Sequence, residues 1–353
     1  MKKVKDIPLA LSYDDVLLVP SYSDIKSRSD VDLSTQITPR VKLAIPLISI
    51  NMSDVTGVDM AISLGKLGGL GFLPRFDTAE KQADMVSQVK MAGVLVGAAV
   101  GCKDNYLERA EMLVKAGADI ITLDVAHAGM QQALDATAEL KQKFGKLTDI
   151  ISGVVGTYET AEALYKAGSD SVRVGVGPGT ICITRQETGF GVPQITAVID
   201  CARAARKYKK TVLCDGGTKN SGDIVKGLAA GASAVISGSQ FAGHDEAPGE
   251  IVIKGEEKYK MYNASTSLTE KKKHVENLKC LPGTYTNHIE GVESLVPYKG
   301  PLAHSMERWL ANIRSGYSYC GAKNINELWK KAKFIRVTPN GVRENGVHDV
   351  ILY

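Results

Sequence analysis

The feature of this sequence that most constrains its fold is an eightfold alternation between short apolar runs and amphipathic stretches. The apolar runs are rich in β-branched residues and poor in charge, which is typical of parallel strands covered on both faces. They occupy residues 46–50, 69–74, 94–100, 119–126, 149–156, 171–177, 211–217 and 233–239. Because the runs are continuous and do not alternate with polar residues, we predict eight parallel strands.

The stretches between these runs have a helical pattern. Their apolar residues recur at spacings of three and four, which predicts amphipathic helices. The clearest cases are residues 78–93, 105–118, 157–169 and 194–208. Several end in Ala-Gly, which commonly stops a helix, so each strand is predicted to follow a helix closely.

This alternation predicts an α/β fold, and within that class a single (β/α)8 TIM barrel over residues 1–353. An open doubly wound sheet is the alternative. The barrel is favoured because no early strand–helix unit carries a G-x-G-x-x-G turn, whereas glycines cluster after predicted strands six, seven and eight. The polar segment 251–300 breaks the pattern, and we predict a flap or lid inserted after strand eight.

Composition and charge argue against several classes of partner. The chain is 44% hydrophobic and 23% charged, with a net charge of only +4. No apolar run approaches the roughly 18 residues of a membrane span. Lysines are scattered except at 271–273, and these are expected to face solvent. We therefore expect neither a membrane nor a nucleic acid as partner.

Cysteine usage indicates a reducing compartment. The spacing of the six cysteines matches no C-x-x-C or zinc pattern, and the N-terminus does not read as a signal peptide. We expect free thiols in the cytoplasm. Cys201 and Cys214 lie in apolar surroundings and are expected to be buried; the others are Cys102, Cys182, Cys280 and Cys320.

Glycine-rich loops follow the last three predicted strands, at 175–180, 214–217 and 237–244. Glycine lets backbone N–H groups approach a ligand closely. Barrels often bind phosphate at the last two of these loops, and Asp215 beside them suits the hydroxyls of a ribose. These loops predict a phosphate or nucleotide ligand, although a tight turn alone would also explain the Asp-Gly-Gly at 215–217.

The string GVGPGTICITR at 175–185 places a thiol directly after the first of these loops. Cys182 lies at a glycine-rich strand end, outside the packed strand, and a thiolate is a strong nucleophile. We interpret Cys182 as a candidate nucleophile, with a buried structural cysteine as the alternative. Thr184 would serve as a proton relay if a carboxylate lies nearby, and a structural role is open for Arg185.

The same string, with TGFGVPQ at 188–194, resembles the active-site loop of the IMP dehydrogenase / GMP reductase family. Further matching strings occur in family order at 11–20, 68–72, 95–101, 214–233, 238–250, 289–300 and 346–350. The resemblance spans nearly the whole chain. It implies a (β/α)8 barrel, usually a homotetramer, that acts on a purine nucleoside monophosphate, GMP or IMP, with a nicotinamide cofactor.

The resemblance also implies roles for individual residues. Cys182 would attack C2 of the purine, and Glu290 would pair with Thr184 in a proton relay. The nucleotide would be bound by Thr180, Asp215, Gly216, Gly217, Gly238, Ser239, Tyr262 and Ser265. Asp124 and Ala126 would face the cofactor. The backbone carbonyls of Gly177, Gly179 and Cys182 would match a potassium site.

Two features favour GMP reductase, which converts GMP to IMP and ammonia with NADPH. A dehydrogenase must hydrolyse its covalent adduct, for which the family uses an Arg-Tyr pair on a flap, and this chain has no Arg from 207 to 307. It also lacks the CBS domain pair that most dehydrogenases insert after strand two. Both features point to a reductase within this family.

Other residues favour an IMP dehydrogenase that lacks CBS domains and converts IMP to XMP with NAD. The strings at 289–300 and 343–350 resemble dehydrogenases. Asn287 and Ile289 stand where reductases commonly have Arg and Ser, and Val154 stands where the family usually has Asn, so recognition of the purine 2-position stays open. An FMN-binding TIM-barrel oxidoreductase and a non-catalytic nucleotide binder are more distant alternatives.

Overall fold

Eight parallel strands close into a barrel in the computed structural model of this protein, which describes residues 7–103, 105–278, 283–347 and 350. In chain order the strands are β1 (Val16–Leu18), β2 (Thr35–Gln36), β3 (Lys42–Leu43), β4 (Leu47–Ser49), β5 (Leu70–Leu73), β6 (Val96–Val100), β7 (Ile120–Asp124), β8 (Asp149–Val155), β9 (Ser171–Val174), β10 (Thr211–Asp215), β11 (Ala234–Ser237), β12 (Ile251–Lys254), β13 (Glu257–Met261), β14 (Leu295–Pro297) and β15 (Phe334–Arg336). The barrel runs in the order β10, β11, β4, β5, β6, β7, β8 and β9, with all neighbours parallel. The predicted (β/α)8 fold is confirmed, and each predicted strand contains one barrel strand.

Helices follow most of the barrel strands in the chain, and shorter ones lie in the loops, the inserted segment and the C-terminal part. They are α1 (Val58–Lys66), α2 (Ala79–Met91), α3 (Tyr106–Lys115), α4 (Gln131–Phe144), α5 (Tyr158–Lys166), α6 (Thr184–Thr188), α7 (Gln194–Tyr208), α8 (Ser221–Ala229), α9 (Leu268–Leu278), α10 (Leu302–Ser318), α11 (Ile325–Lys331) and α12 (Pro339–Arg343). Short 3-10 helices occur at Tyr13–Asp15, Arg28–Asp30 and Gly283–Asn287. The four helices predicted from periodicity correspond to α2, α3, α5 and α7.

The barrel strands are continuous apolar runs because each of their faces packs into a different core. On β10, Leu213 belongs to a cluster with Phe72 and Ile236, whereas its neighbours Val212 and Cys214 pack into the larger cluster that includes the helices. The smaller cluster also takes in residues of the β2–β3 hairpin. A strand buried on both sides has no place for the alternating polar residues of a half-exposed strand.

The segment 251–300 forms structure of its own beside the barrel. Strands β12, β13 and β14 make an antiparallel three-stranded sheet, and α9 lies between β13 and β14 in the chain. The residues 279–282, which include Cys280, lie outside the described part of the chain. The sheet and helix agree with an insertion after the last barrel strand, and its action as a flap or lid stays a prediction.

The cysteines of the described residues are all free thiols. Cys201 and Cys214 are fully buried, as predicted from their apolar surroundings. Among the described residues no helix is both long enough and apolar enough to cross a bilayer.

Candidate active site

A cavity of about 250 Å³ lies at the C-terminal ends of the barrel strands. Parallel strands of a closed barrel all end at this face, so loops that are distant in sequence meet here. Every residue that the sequence singled out for the site lines it: Asp124, Ala126, Gly177, Gly179, Thr180, Cys182, Thr184, Asp215, Gly216, Gly217, Gly238, Ser239, Tyr262, Ser265 and Glu290. A larger groove, of about 630 Å³, lies between α8 and α10 and contains none of them.

A chain of hydrogen bonds joins the thiol to a carboxylate. The Cys182 Sγ lies 3.2 Å from Thr184 Oγ1, and the Thr184 hydroxyl donates to Glu290 Oε2 at 2.6 Å. The Cys182 and Glu290 side chains are both only partly buried, so a ligand in the cavity can reach them. This arrangement can move a proton between the sulfur, the carboxylate and a group bound beside them.

Backbone pairing brings Glu290 to Thr184. The Ile183 N–H donates to the Glu290 carbonyl at 2.9 Å, and the Val292 N–H donates to the Ile181 carbonyl at 3.2 Å. Gly291 allows this approach, because a Cβ there would lie 2.1 Å from the Cβ of Ala264. The pairing is a contact between the loop after β9 and the segment before β14.

The glycines on the β10 and β11 side form an open cradle of backbone. Gly216 and Gly217 have φ angles of 84° and 81°, which L side chains rarely adopt. At Gly238 a Cβ would lie 2.4 Å from the hydroxyl of the buried Tyr262. The Thr180 and Ser239 hydroxyls lie 3.4 Å apart across this cradle. The small residues let a phosphate approach the backbone closely here, although the Gly216 N–H already donates to the Ile236 carbonyl at 3.1 Å.

Arg173 links the two acids of the cavity, and sequence reasoning missed it. Its Nε donates to Asp215 Oδ2 at 2.8 Å, and its Nη1 donates to Asp124 Oδ1 at 3.1 Å. Burial of the guanidinium opposes its charge, but the two carboxylates outweigh burial and raise the pKa of Arg173. The sequence did contain an indication of this role, because a charged residue inside the apolar run SVRV needs a partner of opposite charge.

Lys271 on α9 corrects the expectation that residues 271–273 face solvent. Its side chain is buried, and its Nζ donates to the backbone carbonyls of Tyr285 and His288. Burial lowers the pKa of Lys271, against the opposing effect of the Glu290 charge. The lysine therefore ties α9 to the chain that leads to Glu290, a contact between segments that periodicity does not reveal.

His244 holds the segment that follows the Gly238–Ser239 cradle. Its Nδ1 donates to the Phe241 carbonyl at 3.1 Å, and its Nε2 accepts from the Ser305 hydroxyl at 2.8 Å. Both ring nitrogens are used by the neutral ring, and burial lowers the pKa of His244 to about 4. The protein therefore holds this histidine uncharged at neutral pH.

We expect His244 to make the fold sensitive to mild acid. The unfolded chain takes up this proton at about pH 6.5. The contribution of His244 to the free energy of unfolding is therefore fully present above that pH and is lost as the pH drops toward 4. The loss is about 2 kcal/mol at pH 5. Urea unfolding of His244→Gln between pH 8 and 5 should show a flatter pH profile than the unchanged protein. Equal slopes of unfolding free energy against pH for the two proteins would contradict the assignment of this acid sensitivity to His244.

Comparison with known proteins agrees with this geometry. A family model described as the IMP dehydrogenase / GMP reductase domain matches residues 10–348. IMP dehydrogenase from Cryptosporidium parvum is 36% identical, covering 98% of this chain and 96% of its own. GMP reductase from Leishmania donovani is 31% identical, covering 98% of each chain. The crystal structure of GMP reductase from Trypanosoma brucei, a cysteine-to-alanine variant in complex with guanosine 5'-monophosphate, superposes with a TM-score of 0.93 at 28% identity, covering 98% of this chain and 99% of that one.

The lengths of these alignments bear on whether the missing CBS domain pair distinguishes a reductase from a dehydrogenase. The Leishmania reductase aligns over 480 positions, so it carries inserted residues that this chain of 353 residues lacks. The Cryptosporidium dehydrogenase aligns over only 399 positions. A long reductase and a short dehydrogenase both occur, and the direct connection of β5 to α2 through residues 74–78 does not separate the two activities. Taken with the cavity and its thiol, these matches place the chain in the IMP dehydrogenase / GMP reductase family of oxidoreductases.

Proposed function

We propose that this protein is a GMP reductase, which converts GMP to IMP and ammonia with NADPH. The observation that carries the proposal is the bonded series from Cys182 through Thr184 to Glu290. A reductase must protonate an amine as it leaves the carbon that the thiol attacks. A hydroxyl and a carboxylate beside the thiol supply that proton.

In the proposed reaction the Cys182 sulfur bonds to C2 of the purine, and its proton passes through Thr184 to Glu290. The same path returns a proton to the 2-amino group, the C2–N bond breaks, and ammonia leaves. The nicotinamide cofactor, when bound, would supply the hydride that C2 accepts. The C2–S bond then breaks, and the thiolate and IMP are released.

The cavity has two sides, which we assign to the two ligands. Asp215 would bind the ribose hydroxyls. The phosphate would lie on the backbone of Gly216, Gly217, Gly238 and Ser239, with Thr180, Tyr262 and Ser265 beside it. Asp124 and Ala126, at the end of β7, would face the nicotinamide cofactor. Arg173 would keep the two carboxylates apart and fixed, because both are bonded to it.

The reductase is preferred over the dehydrogenase because no cationic side chain from the described residues of the lid lines the cavity, where it would be needed to activate water. The sequence has no Arg from 207 to 307, and the Nζ of Lys271 donates to backbone carbonyls. IMP dehydrogenase is the second candidate on one observation: Tyr285 lines the cavity together with Glu290, and a phenol there would be available to activate water. Arg75 also lines this side of the cavity.

We expect steady oxidation of NADPH with GMP, together with release of ammonia. With IMP and NAD we expect at most a single turnover, because the adduct on Cys182 would not be hydrolysed. Absorbance of the reduced nicotinamide at saturating substrate distinguishes the two reactions. Sustained XMP formation from IMP, faster than the GMP reaction, would make the protein a dehydrogenase.

The remaining assignments follow from the same proposal. We infer NADPH in preference to NADH, a homotetramer, and a cytoplasmic location in keeping with the free thiols. A potassium ion would take backbone oxygens of Gly177, Gly179 and Cys182 and would hold this loop in place. The loop suits such an ion only in part, because the Gly179 carbonyl already accepts the Cys182 N–H at 3.1 Å. Rates in potassium and in lithium chloride test this site.

A further inference from the structure

Lys299, between β14 and α10, contacts the glycine cradle from outside the cavity. Its Nζ donates to the Ser239 carbonyl at 2.8 Å and to the Gln240 carbonyl at 2.9 Å. Ser239 lines the active-site cavity, whereas Lys299 does not. The ammonium group therefore lies on the outer side of a loop whose inner side is assigned to the nucleotide phosphate.

Backbone pairing fixes Lys299 against this loop. The Lys299 N–H donates to the Gly243 carbonyl at 2.9 Å, and the Asp245 N–H donates to the Gly300 carbonyl at 3.1 Å. Gly243 leaves room for the lysine, since a Cβ there would lie 2.4 Å from the Pro297 carbonyl oxygen and 3.2 Å from Lys299 Cδ. The ammonium group is thus held in place before a ligand binds, and little order is lost on binding.

The carbonyls that Lys299 binds belong to a tight turn. The Phe241 and Ala242 N–H groups both donate to the Gly238 carbonyl, at 3.0 and 2.9 Å. The peptide bond between Ser239 and Gln240 is trans, so the Gln240 N–H points away from Lys299. None of the hydrogen bonds among the described residues uses that N–H. The turn therefore has an unused donor on the side opposite to the lysine.

The charge of Lys299 lacks a counter-ion in the described part of the chain. The nearby Asp245 carboxylate accepts instead from the Tyr298 hydroxyl, at 2.5 Å. Although Lys299 is exposed as a residue, loss of water around its ammonium group lowers its pKa to about 8, and no carboxylate offsets this effect. The group still carries its charge at neutral pH. Such a cation favours an anion on the other side of the loop.

We propose that Lys299 is a positioning residue for the phosphate of the nucleotide, an inference that rests on the proposed function. It fixes the carbonyls of Ser239 and Gln240 on the outer side of the loop, and its charge makes the inner side electropositive. Lys299 acts through the backbone that it holds. A phosphate on the inner side would meet backbone N–H groups and would supply the missing counter-charge.

The affinities of Lys299→Met for GMP and for guanosine test this inference. We expect the Kd of GMP, from calorimetric titration, to rise roughly 10-fold, as for loss of a unit charge a few ångströms from the phosphate. The Kd of guanosine, which lacks the phosphate, should not change, and this also shows that the variant is folded. In turnover, KM for GMP should rise while kcat changes little.

Two further variants separate the charge of Lys299 from its hydrogen bonds. Lys299→Gln can still donate to a carbonyl but has no charge, so it should lose GMP affinity as Lys299→Met does. Lys299→Arg keeps the charge and should restore part of the affinity. Added salt should weaken GMP binding less in Lys299→Met than in the unchanged protein, because a charge that salt screens has been removed. A role in packing alone would not change this salt dependence.

Lys258→Met is the matched control. Lys258 is an exposed lysine on β13, and its Nζ lies 5.9 Å from the centre of the Tyr298 ring. The variant has the same loss of charge in the segment beside Lys299, but no contact with the cradle is removed. Its GMP affinity should stay unchanged. A loss equal to that of Lys299→Met would overturn the inference, because net charge alone would then explain the effect.

Other outcomes separate this inference from the proposed function. Unchanged GMP affinity in Lys299→Met, or an equal loss of guanosine affinity, would overturn the role of Lys299, even if GMP reduction continues. If the unchanged protein oxidises IMP and does not reduce GMP, the reductase is rejected; a loss of IMP affinity in Lys299→Met would still support the inference, because IMP carries the same 5'-phosphate. If the unchanged protein binds neither nucleotide, both proposals fail.

Discussion

Cys182→Ala is expected to lower turnover about 10⁴-fold or more while GMP still binds, because the variant loses the nucleophile and keeps the rest of the cavity. Of the residues assigned to ribose and phosphate only Thr180 shares the loop of Cys182, and none of the contacts described for Asp215 or Gly238 involves the sulfur. Turnover is measured by absorbance of NADPH, and GMP binding by calorimetry.

The control for this variant is Cys320→Ala. Cys320 lines the groove between α8 and α10 and is remote from the cavity, so this variant should keep its turnover. Labelling with 6-chloro-IMP, followed by mass spectrometry of peptides, should modify Cys182 and leave the other cysteines unmodified. Substantial turnover by Cys182→Ala, or labelling of a different cysteine, would reject the assignment.

Thr184→Val and Glu290→Gln are each expected to slow GMP reduction roughly 10³-fold, within the range for loss of a general acid–base group. The two side chains form one path, since the Thr184 hydroxyl donates to Glu290 at 2.6 Å and also meets the thiol. Loss of either end breaks the whole path. The double variant should therefore be about as slow as the slower single variant.

The step affected distinguishes this relay from a structural role. A single turnover of IMP with the oxidised cofactor involves no ammonia, so it reports hydride transfer alone. In the Thr184→Val and Glu290→Gln variants the rate of this step should fall far less than the rate of deamination. Thr188→Val and Glu187→Gln, on the same short helix α6, are the matched controls and should have small effects. Fully additive losses in the double variant would show that Thr184 and Glu290 act independently.

The local part of this structure could be predicted from the sequence, because its causes are local. A strand buried on both faces must be apolar along its length, so each of the eight runs marked a barrel strand. Glycines with positive φ at 216 and 217 likewise marked a loop built from exposed backbone. Cys182 stood out because it follows such a loop. These features depend on residues within a few positions of one another.

The family resemblance supplied more of the site than spacing did. It paired Thr184 with Glu290, which are 106 residues apart, and no local pattern predicts that contact. It did not supply Arg173, whose role depends on which acids it meets. It also left the choice between reductase and dehydrogenase open, and the alignment lengths show that chain length does not decide it.

By itself the sequence determined the eight strands, the helices around them, and the loops in which reactive groups would lie, because hydrophobic periodicity and glycine act over short distances. Only the tertiary structure decided which of those groups meet. Lys271 was expected in solvent but is buried on the carbonyls of Tyr285 and His288. Arg173 spans two acids. Closure of the barrel brings these distant loops to one face, and the charge that each group sees depends on neighbours that its own segment does not contain.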